Sequence, residues 1–380
     1  MSGPLSGIRI VELAGIGPSP YGAMLLADLG ATVIRLERGV DDAPATAHFD
    51  VLNRSRPSVA VDLKSPAGVE LVRELVASAD ALIEGFRPGV AERLGVGPDD
   101  LLAINPRLVY GRMTGWGQEG PLAQRAGHDI NYIALSGALW SIGREGERPV
   151  PPLNLVGDFG GGGLILAFGL LAAILSARTT GQGQVVDAAM VDGSASLMAM
   201  TYSFMGAGFW REERGTNILD TGAPFYDVYD TADGRYVAVG AIEPQFYKEL
   251  LDGLELDPST LPPQMSRDSW PQLREIFAAR FVTKTRDEWE AIFIDRDACV
   301  TPVLSPSEAV AYGHNAQRGT FVTQPVAQPA PVPRFSVTPG AISSPPLAPG
   351  SQTTTGLTSW GLSPEAIADF RERGAFGARP

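Results

Sequence analysis

Short apolar segments and helical segments alternate through the first third of the chain, and this alternation limits the fold more than any other feature. Strands are predicted at residues 8–13, 32–37, 59–63, 81–84 and 108–113. Helical segments at 21–29 and 68–79 stand between them. Strands that alternate with helices form a parallel sheet with helices on both faces. The sequence therefore predicts an α/β fold for this region.

The middle of the chain has a different pattern. Apolar helices are predicted at 131–140, 161–177 and 193–206. A hairpin is predicted next, with strands 225–229 and 236–241 around a turn that contains Asp233 and Gly234, a pair typical of tight hairpins. Further helices are predicted at 245–251, 270–281 and 286–293. We therefore predict a large domain that begins with 1–190 and a smaller α+β domain at 191–315.

The last part of the chain, 316–380, is rich in proline. Eight prolines between 325 and 349 predict a stiff, extended connector. A final helix is marked by Ser363 as N-cap, Pro364 at the first helical position and Gly374 beyond the end.

Composition excludes several classes of protein. The formal net charge is −13, so a nucleic-acid partner, which needs a basic surface, is not expected. Cys299 is the one cysteine and the chain has three histidines, so neither a disulfide framework nor a metal site is predicted. We expect Cys299 to be buried.

The charge-free run 159–177 is the one segment that resembles a membrane span. Its apolar part, 164–175, is shorter than the ~20 residues that cross a bilayer, so a buried helix is predicted and no membrane span. The first residues lack the basic and apolar regions of a secretory signal, so a cytoplasmic location is expected.

The loop after the first predicted strand resembles a dinucleotide-binding fingerprint. It contains Gly15-Ile16-Gly17, and Glu37 ends the next strand. Pro20 occupies the third glycine position, however, and Pro18 stiffens the loop. We therefore interpret the segment as a tight turn into a helix with proline at its start.

Basic residues are concentrated in the first third of this acidic chain. Arg38 and Arg87 directly follow predicted strands. Ligands of open α/β sheets bind at the carboxyl ends of the strands, so a phosphorylated ligand would account for both positions. The alternative for each arginine is an ordinary solvated charge.

A histidine and a carboxylate stand at the starts of two predicted helices. His128 follows Gly127, and Asp158 precedes a run of four glycines, 160–163. Glycine is costly in a helix, which favours a close approach of backbone amides to a ligand, where they would stabilise an oxyanion. A carboxylate at a helix N-terminus is favoured in its ionised form. Helix capping by Asp158 is the alternative.

These segments carry a resemblance to a known family. The strings 127–132, 154–163, 222–226 and 239–247 resemble the 2-methylacyl-CoA racemases of the class III CoA-transferase family (CaiB/BaiF type). The likeness extends from Leu5 to about Pro302. The resemblance implies a Rossmann-like large domain, built from both chain ends, in an interlocked homodimer. The proline-rich segment would return the C-terminal helix to the large domain.

The resemblance also implies a reaction, the transfer of a proton at carbon 2 of a 2-methylacyl-CoA thioester by two bases. His128 and Asp158 would act on opposite faces of the enolate, and Glu243 would orient His128. Histidine titrates near neutral pH, as such a base must. No cofactor is implied, because coenzyme A is part of the substrate.

Coenzyme A contacts are implied for a larger set of residues. They are Arg38, Val61, Asp62, Leu63, Lys64, Arg87, Arg93, Gly127, Asp129, Asn131 and Tyr132. Two departures from the family pattern are Pro57, which interrupts the basic run begun by Arg54 and Arg56, and the acidic loop 40–49.

Two other functions fit the same residues. In a CoA-transferase, Asp158 would be the nucleophile that forms an aspartyl thioester. The third hypothesis is a CoA-binding protein without activity. The acyl group is not specified, and Met198, Met200 and Met205 fit either a pliable acyl surface or ordinary core packing.

Overall fold

The computed structural model describes residues 3–39 and 47–377, which form two compact units. The first unit comprises 3–136, 153–197 and 314–377, and the second comprises 137–152 and 198–313. The predicted first domain, 1–190, thus includes a segment, 137–152, that the structure places in the second unit.

A six-stranded parallel sheet forms the centre of the first unit, which confirms the predicted parallel sheet and adds a sixth strand to it. Its strands are β1 (Arg9–Leu13), β2 (Thr32–Glu37), β3 (Ser58–Ala60), β4 (Ala81–Glu84), β5 (Val109–Thr114) and β6 (Gln184–Ala189). Their spatial order is β3-β2-β1-β4-β5-β6. From β1 the chain continues to β2 and β3 on one side of the sheet, and from β4 it continues to β5 and β6 on the other side. The strand order therefore reverses between β1 and β4. Ligands of doubly wound sheets bind at such a point.

Helices cover both faces of this sheet. In chain order the helices of the first unit are α1 (Pro18–Asp28), α2 (Pro66–Val76), α3 (Val90–Arg93), α4 (Pro98–Ile104), α5 (Asp129–Leu135), α6 (Leu164–Thr180), α7 (Met190–Leu197), α13 (Gly313–Arg318), α14 (Thr353–Trp360) and α15 (Pro364–Glu372). Those of the second unit are α8 (Ala199–Gly206), α9 (Pro244–Gly253), α10 (Trp270–Phe281), α11 (Arg286–Phe293) and α12 (Pro306–Ala311). One apolar core joins the sheet to α2, α4, α14 and α15, and a second joins it to α1, α5 and α6. Strands β1 to β5 are largely buried on both faces, which explains their almost continuous apolar sequences.

A π-helical segment, Leu155–Gly163, precedes α6 where the sequence predicts the start of an α-helix. Its last three glycines are buried against protein. A Cβ on Gly163 would lie 2.5 Å from the carbonyl oxygen of Pro18, and one on Gly161 would lie 2.6 Å from the amide nitrogen of Ser194. The expectation that these glycines approach a ligand is therefore wrong, because they let the π segment pack against α1 and α7.

The π segment and α6 together, Leu155–Thr180, are long and apolar enough to cross a membrane by length and composition alone. Leu166, Leu170 and Ile174 of α6 are nevertheless buried in the core against the sheet. This placement agrees with the predicted core helix.

The second unit contains an antiparallel sheet of β7 (Tyr226–Asp230), β8 (Tyr236–Gly240) and β9 (Val300–Pro302). Gly234 in the β7–β8 turn has φ 69°, which confirms the predicted hairpin. The core of this unit is aromatic, with Phe225, Trp270 and Phe277 among its buried residues.

Helix α8 has no buried residue, so core packing, one of the two alternatives for Met200 and Met205, does not hold within the chain. The prediction of a buried cysteine is wrong. Cys299 is exposed and has φ 51°, because it lies in the turn that leads into β9.

The proline-rich segment packs on the first unit. It contains a short hairpin, β10 (Phe321–Thr323) and β11 (Ala327–Pro329). The N–H of Ser55 donates to the carbonyl of Ser344 at 3.0 Å, and that of Gln352 donates to the carbonyl of Ser58 at 2.9 Å. The final helix has the predicted cap, since the Ser363 hydroxyl accepts a hydrogen bond from the N–H of Ala366.

Candidate active site

A cavity of about 670 Å³ opens at the carboxyl ends of β1, β4 and β5, where the strand order reverses. Three loops that follow these strands line it, together with residues from α5, the π segment and the start of α7. The lining residues are Gly15, Ile16, Gly17, Pro18, Ser19, Leu52, Gly85, Phe86, Arg87, Pro88, Met113, Thr114, Gly115, Trp116, Ala123, Arg125, Ala126, Gly127, His128, Tyr132, Asn154, Asp158, Phe159 and Met190. All of them belong to the first unit.

His128 lies at the N-terminus of α5, with its side chain exposed at the cavity. Its backbone N–H donates to Oδ1 of Asn131 at 3.0 Å. Asn131 therefore fixes the backbone at His128, and this hydrogen bond does not involve the imidazole.

Asp158 reaches the same cavity from the π segment. Its Oδ2 accepts a hydrogen bond from the amide of Asn154 at 3.1 Å. The carboxylate also lies close to the loop after β1, because a Cβ built on Gly17 would be 3.0 Å from Asp158 Oδ2. Gly17 has φ 65°, a conformation that favours glycine.

Burial raises the pKa of Asp158 above its ordinary value, and the negative charge of Asp129 raises it further. The Asn154 hydrogen bond and His128 oppose this increase without reversing it. Burial thus acts against the preference for an ionised carboxylate that the helix N-terminus provides, and the expectation that Asp158 is ionised stays a prediction.

The backbone N–H of Asp158 is not available for an oxyanion. It donates to Oδ2 of Asp129 at 2.7 Å. The expectation that amides near Asp158 hold an enolate oxygen thus fails for this amide, because a protein carboxylate already accepts from it.

An imidazole and a carboxyl group with a raised pKa therefore share one cavity. Their surroundings are mixed, and three aromatic side chains line the cavity, those of Phe86, Trp116 and Phe159. Such a pair can accept and donate protons on a bound molecule.

The residues implied in coenzyme A binding are distributed along the carboxyl edge of the sheet. Arg38 follows β2, the segment 61–64 follows β3, and Arg87 follows β4. Arg38, Lys64, Arg87 and Arg93 are exposed and make no ion pair with the described residues. Of these four, Arg87 lines the cavity.

Other members of this set are engaged within the protein. Val61 is buried, and Leu63 packs against the core. The N–H of Asp62 donates to the carbonyl of Ala375 at 2.8 Å, so the end of the chain covers this segment. Asp129 is buried, and the ring of Tyr132 packs against Trp116 with its centroid 4.7 Å away.

Arg54 and Arg56 of the basic run are structural. Nη1 of Arg56 donates to Glu12 at 2.9 Å, and Nε of Arg54 donates to Asp28 at 3.1 Å, all four side chains being buried. Most of the acidic loop 40–49, namely 40–46, lies outside the described residues.

Glu243 belongs to the second unit, where it is the exposed N-cap residue of α9. Its predicted role toward His128 stays a prediction.

Several cavity residues were not predicted as functional. Ile16, Trp116 and Arg125 are examples. The signal that could have found the first two is their position directly after a buried strand, where ligands of α/β sheets bind.

Comparison with known proteins identifies the family of this chain. The model of CoA-transferase family III matches residues 5–353. The chain belongs to CoA-transferase family III. This finding confirms the resemblance that the sequence motifs indicate.

Two relatives within the family are closely similar. The alpha-methylacyl-CoA racemase of Mus musculus is 48% identical over 96% of this chain and 95% of its own length. The racemase of the same name from Homo sapiens is 47% identical, with the same coverage of both chains. A CAIB/BAIF family protein from Brucella suis, 24% identical, has the same fold, with a TM-score of 0.82 over 95% of this chain and 100% of that chain.

Proposed function

We propose that this protein is a racemase that interconverts the (R) and (S) forms of 2-methylacyl-CoA thioesters. The observation that carries the proposal is the placement of His128 and Asp158 at one cavity in a chain 48% identical to a racemase of this substrate class. Inversion at carbon 2 requires one base on each face of a planar enolate, and the cavity supplies two groups able to serve.

His128 and Asp158 exchange roles with the direction of the reaction. One removes the proton from carbon 2 while the other supplies a proton to the opposite face. The raised pKa of Asp158 suits this exchange, because burial favours the protonated form that the carboxyl group needs when it donates a proton. No cofactor other than the coenzyme A of the substrate is required.

The exposed cations along the sheet edge are proposed to hold the nucleotide end of coenzyme A. Arg38 and Lys64 would contact its phosphates, and Arg87 would direct the pantetheine arm toward the cavity. In a chain of net charge −13, arginines on one edge that pair with none of the described carboxylates are the groups that can attract a polyanion.

A homodimer is proposed as the functional state. The face of α6 that points away from the sheet is apolar, with Leu164, Phe168 and Leu175 exposed at helical spacing. Soluble monomers seldom expose such a continuous apolar surface, so a second copy is the proposed partner. In that assembly Glu243 is proposed to orient His128. The cytoplasmic location stays a prediction.

Deuterium exchange tests the reaction. The protein is incubated in D2O with a 2-methylacyl-CoA of one configuration, without an acceptor acid, over a series of chain lengths. We expect deuterium at carbon 2 together with loss of optical purity. His128→Ala or Asp158→Asn should lower the rate about 10² to 10⁴-fold, the usual contribution of a general acid or base.

His314→Ala is the matched control, because this exposed histidine belongs to α13 and not to the cavity lining. It should exchange at the rate of the unchanged protein. Transfer of CoA to an added carboxylic acid, with no exchange, would instead identify a CoA-transferase in which Asp158 is the nucleophile. Binding of CoA with neither reaction would identify the inactive binding protein.

A further inference from the structure

Asp129 connects the two proposed bases. It directly follows His128 in the chain and is the first residue of α5. Its side chain turns away from solvent, with 6% of the residue exposed, and its Oδ2 accepts the backbone N–H of Asp158 at 2.7 Å. The residue after one base therefore holds the backbone of the other.

The residue before Asp158 leaves room for this contact. A Cβ built on Gly157 would lie 2.5 Å from Asp129 Oδ2 and 2.8 Å from its Cγ. Any side chain at 157 would displace the carboxylate. The glycine before Asp158 thus leaves the space that the Asp129 carboxylate occupies.

We propose that Asp129 is a positioning residue that sets the distance between His128 and Asp158 through its hydrogen bond to the Asp158 backbone. This inference rests on the proposed racemase function. A misplacement of about 1 Å between reacting groups can lower the rate about 10²-fold. A hydrogen bond that fixes the position of one base relative to the other therefore has a large effect on the rate.

The charge of Asp129 adds a second effect. Its Oδ1 is buried and has no hydrogen-bond partner among the described residues, so the hydrogen bond at Oδ2 compensates its charge only in part. This charge raises the pKa of Asp158. The other groups that act on Asp158 are Asn154 and His128, both of which lower its pKa.

The remaining charged groups at the cavity are Arg87 and Arg125, and Tyr132 is its other titratable side chain. None of these three acts on Asp158 as strongly as Asp129 does, so the charge of Asp129 should dominate any change in the pH dependence.

Two substitutions separate the hydrogen bond from the charge. Asp129→Asn keeps an acceptor oxygen and removes the charge, whereas Asp129→Ala removes both. Exchange in D2O is measured across pH from each pure enantiomer. We expect Asp129→Ala to lower kcat about 10²-fold with KM for the thioester within about twofold of the unchanged protein.

Asp129→Asn should retain most of kcat. Without the negative charge the pKa of Asp158 falls, so for the enantiomer deprotonated by Asp158 the acidic limb of the kcat profile moves to lower pH. For the opposite enantiomer, which needs protonated Asp158, the basic limb moves to lower pH.

Asp220→Asn is the matched control. Asp220 is also buried and also accepts a backbone N–H, that of Asn217 at 2.7 Å, but it belongs to the second unit. Its pH profile should be unchanged. Thermal unfolding of each variant corrects kcat for the folded fraction.

Three results would overturn the inference: an unchanged kcat in Asp129→Ala, equal losses in the Ala and Asn variants, or pH limbs of Asp129→Asn that coincide with those of the unchanged protein. Absence of exchange in the unchanged protein would instead contradict the proposed function, so the two failures can be told apart.

Discussion

At the scale of single residues, burial decides which charged side chains serve structure and which remain for a ligand. Glu12 accepts hydrogen bonds from Arg35 at 2.8 Å and from Arg56 at 2.9 Å, all three being buried. The pairing of Glu12 with Arg35 follows from strand register, because these residues are neighbours on β1 and β2. A buried charge needs such partners, so these arginines cannot also bind a phosphate.

Glu84 is a buried carboxyl group at the end of β4, just before the cavity loop. It accepts hydrogen bonds from the N–H of Phe86 at 2.6 Å and from Nε of Arg112 at 3.0 Å. Burial raises its pKa to about 7, despite the opposing attraction of Arg112. Because the pKa is raised on folding, its favourable contribution to stability is complete below the unfolded value and is lost as the pH rises through about 7.

We therefore expect Glu84→Gln to weaken the pH dependence of stability. Between about pH 5 and about pH 8 the unchanged protein should lose more free energy of unfolding than the variant, because the variant has no proton to release at this position. Urea unfolding at both pH values measures the difference.

Glu92→Gln is the control for this test. Glu92 also pairs with Arg112, at 2.9 Å, but its side chain is 45% exposed. It should leave the pH dependence between these values nearly unchanged. Equal behaviour of the two variants would contradict a raised pKa at Glu84.

At the scale of elements, glycine determines how closely the π segment packs. Gly193 of α7 lies against the carbonyl of Gly161, and a Cβ at 193 would be 1.8 Å from that oxygen. Gly22 of α1 lies against the carbonyl of Gly163, where a Cβ would be 2.7 Å from the oxygen. Backbone on both sides leaves no flexible side chain that could move aside.

Gly193→Ala should therefore destabilise the protein by about 1–3 kcal/mol, the usual cost of overpacking, although alanine is the better helix former. Because the π segment carries Asp158, exchange activity should fall as well. Urea unfolding and the D2O assay measure the two effects.

Gly206→Ala is the matched helical control, since a Cβ at 206 meets nothing within 4 Å. It should be neutral or stabilising by up to about 1 kcal/mol. A Gly193→Ala variant as stable as Gly206→Ala would show that α7 can shift without cost.

At the scale of the whole molecule, the proposed dimer explains why a helix in the core of one unit has an apolar outer face. Leu166 and Leu170 of α6 are buried, yet Phe168 between them is 71% exposed. Its apolar surface would be removed from water by a second copy.

Phe168→Glu should weaken the dimer, because it would place an unpaired charge in an apolar interface. Light scattering after gel filtration should give twice the chain mass of 40.2 kDa for the unchanged protein and a lower mass for the variant at equal concentration.

Ile104→Glu is the control for the change from apolar to acidic. Ile104 ends α4, which packs on the opposite face of the sheet, and is likewise exposed. Its mass should equal that of the unchanged protein. A mass unchanged in Phe168→Glu would show that this face of α6 lies outside the interface.

Much of the fold could be predicted from local patterns. The bounds of β2, β4, α10 and α11 are the predicted ones, because each is a compact apolar or amphipathic run with clear ends. Strand β6 was not predicted, since its sequence Gln184–Ala189 is partly polar and it lies at the edge of the sheet. Pairing with β5, distant in sequence, makes it a strand.

The candidate site likewise combines features that local sequence predicts with features that depend on distant contacts. The sequence alone determined the family, the alternating α/β pattern and the pair His128 and Asp158, because these depend on residue identity and local spacing. Tertiary structure decided what surrounds them. It assigned Arg54 and Arg56 to buried ion pairs, the glycines 161–163 to helix packing, and the Asp129 carboxylate to the backbone of Asp158. Burial and long-range contacts control these roles, and neither is encoded in the residues next to them along the chain.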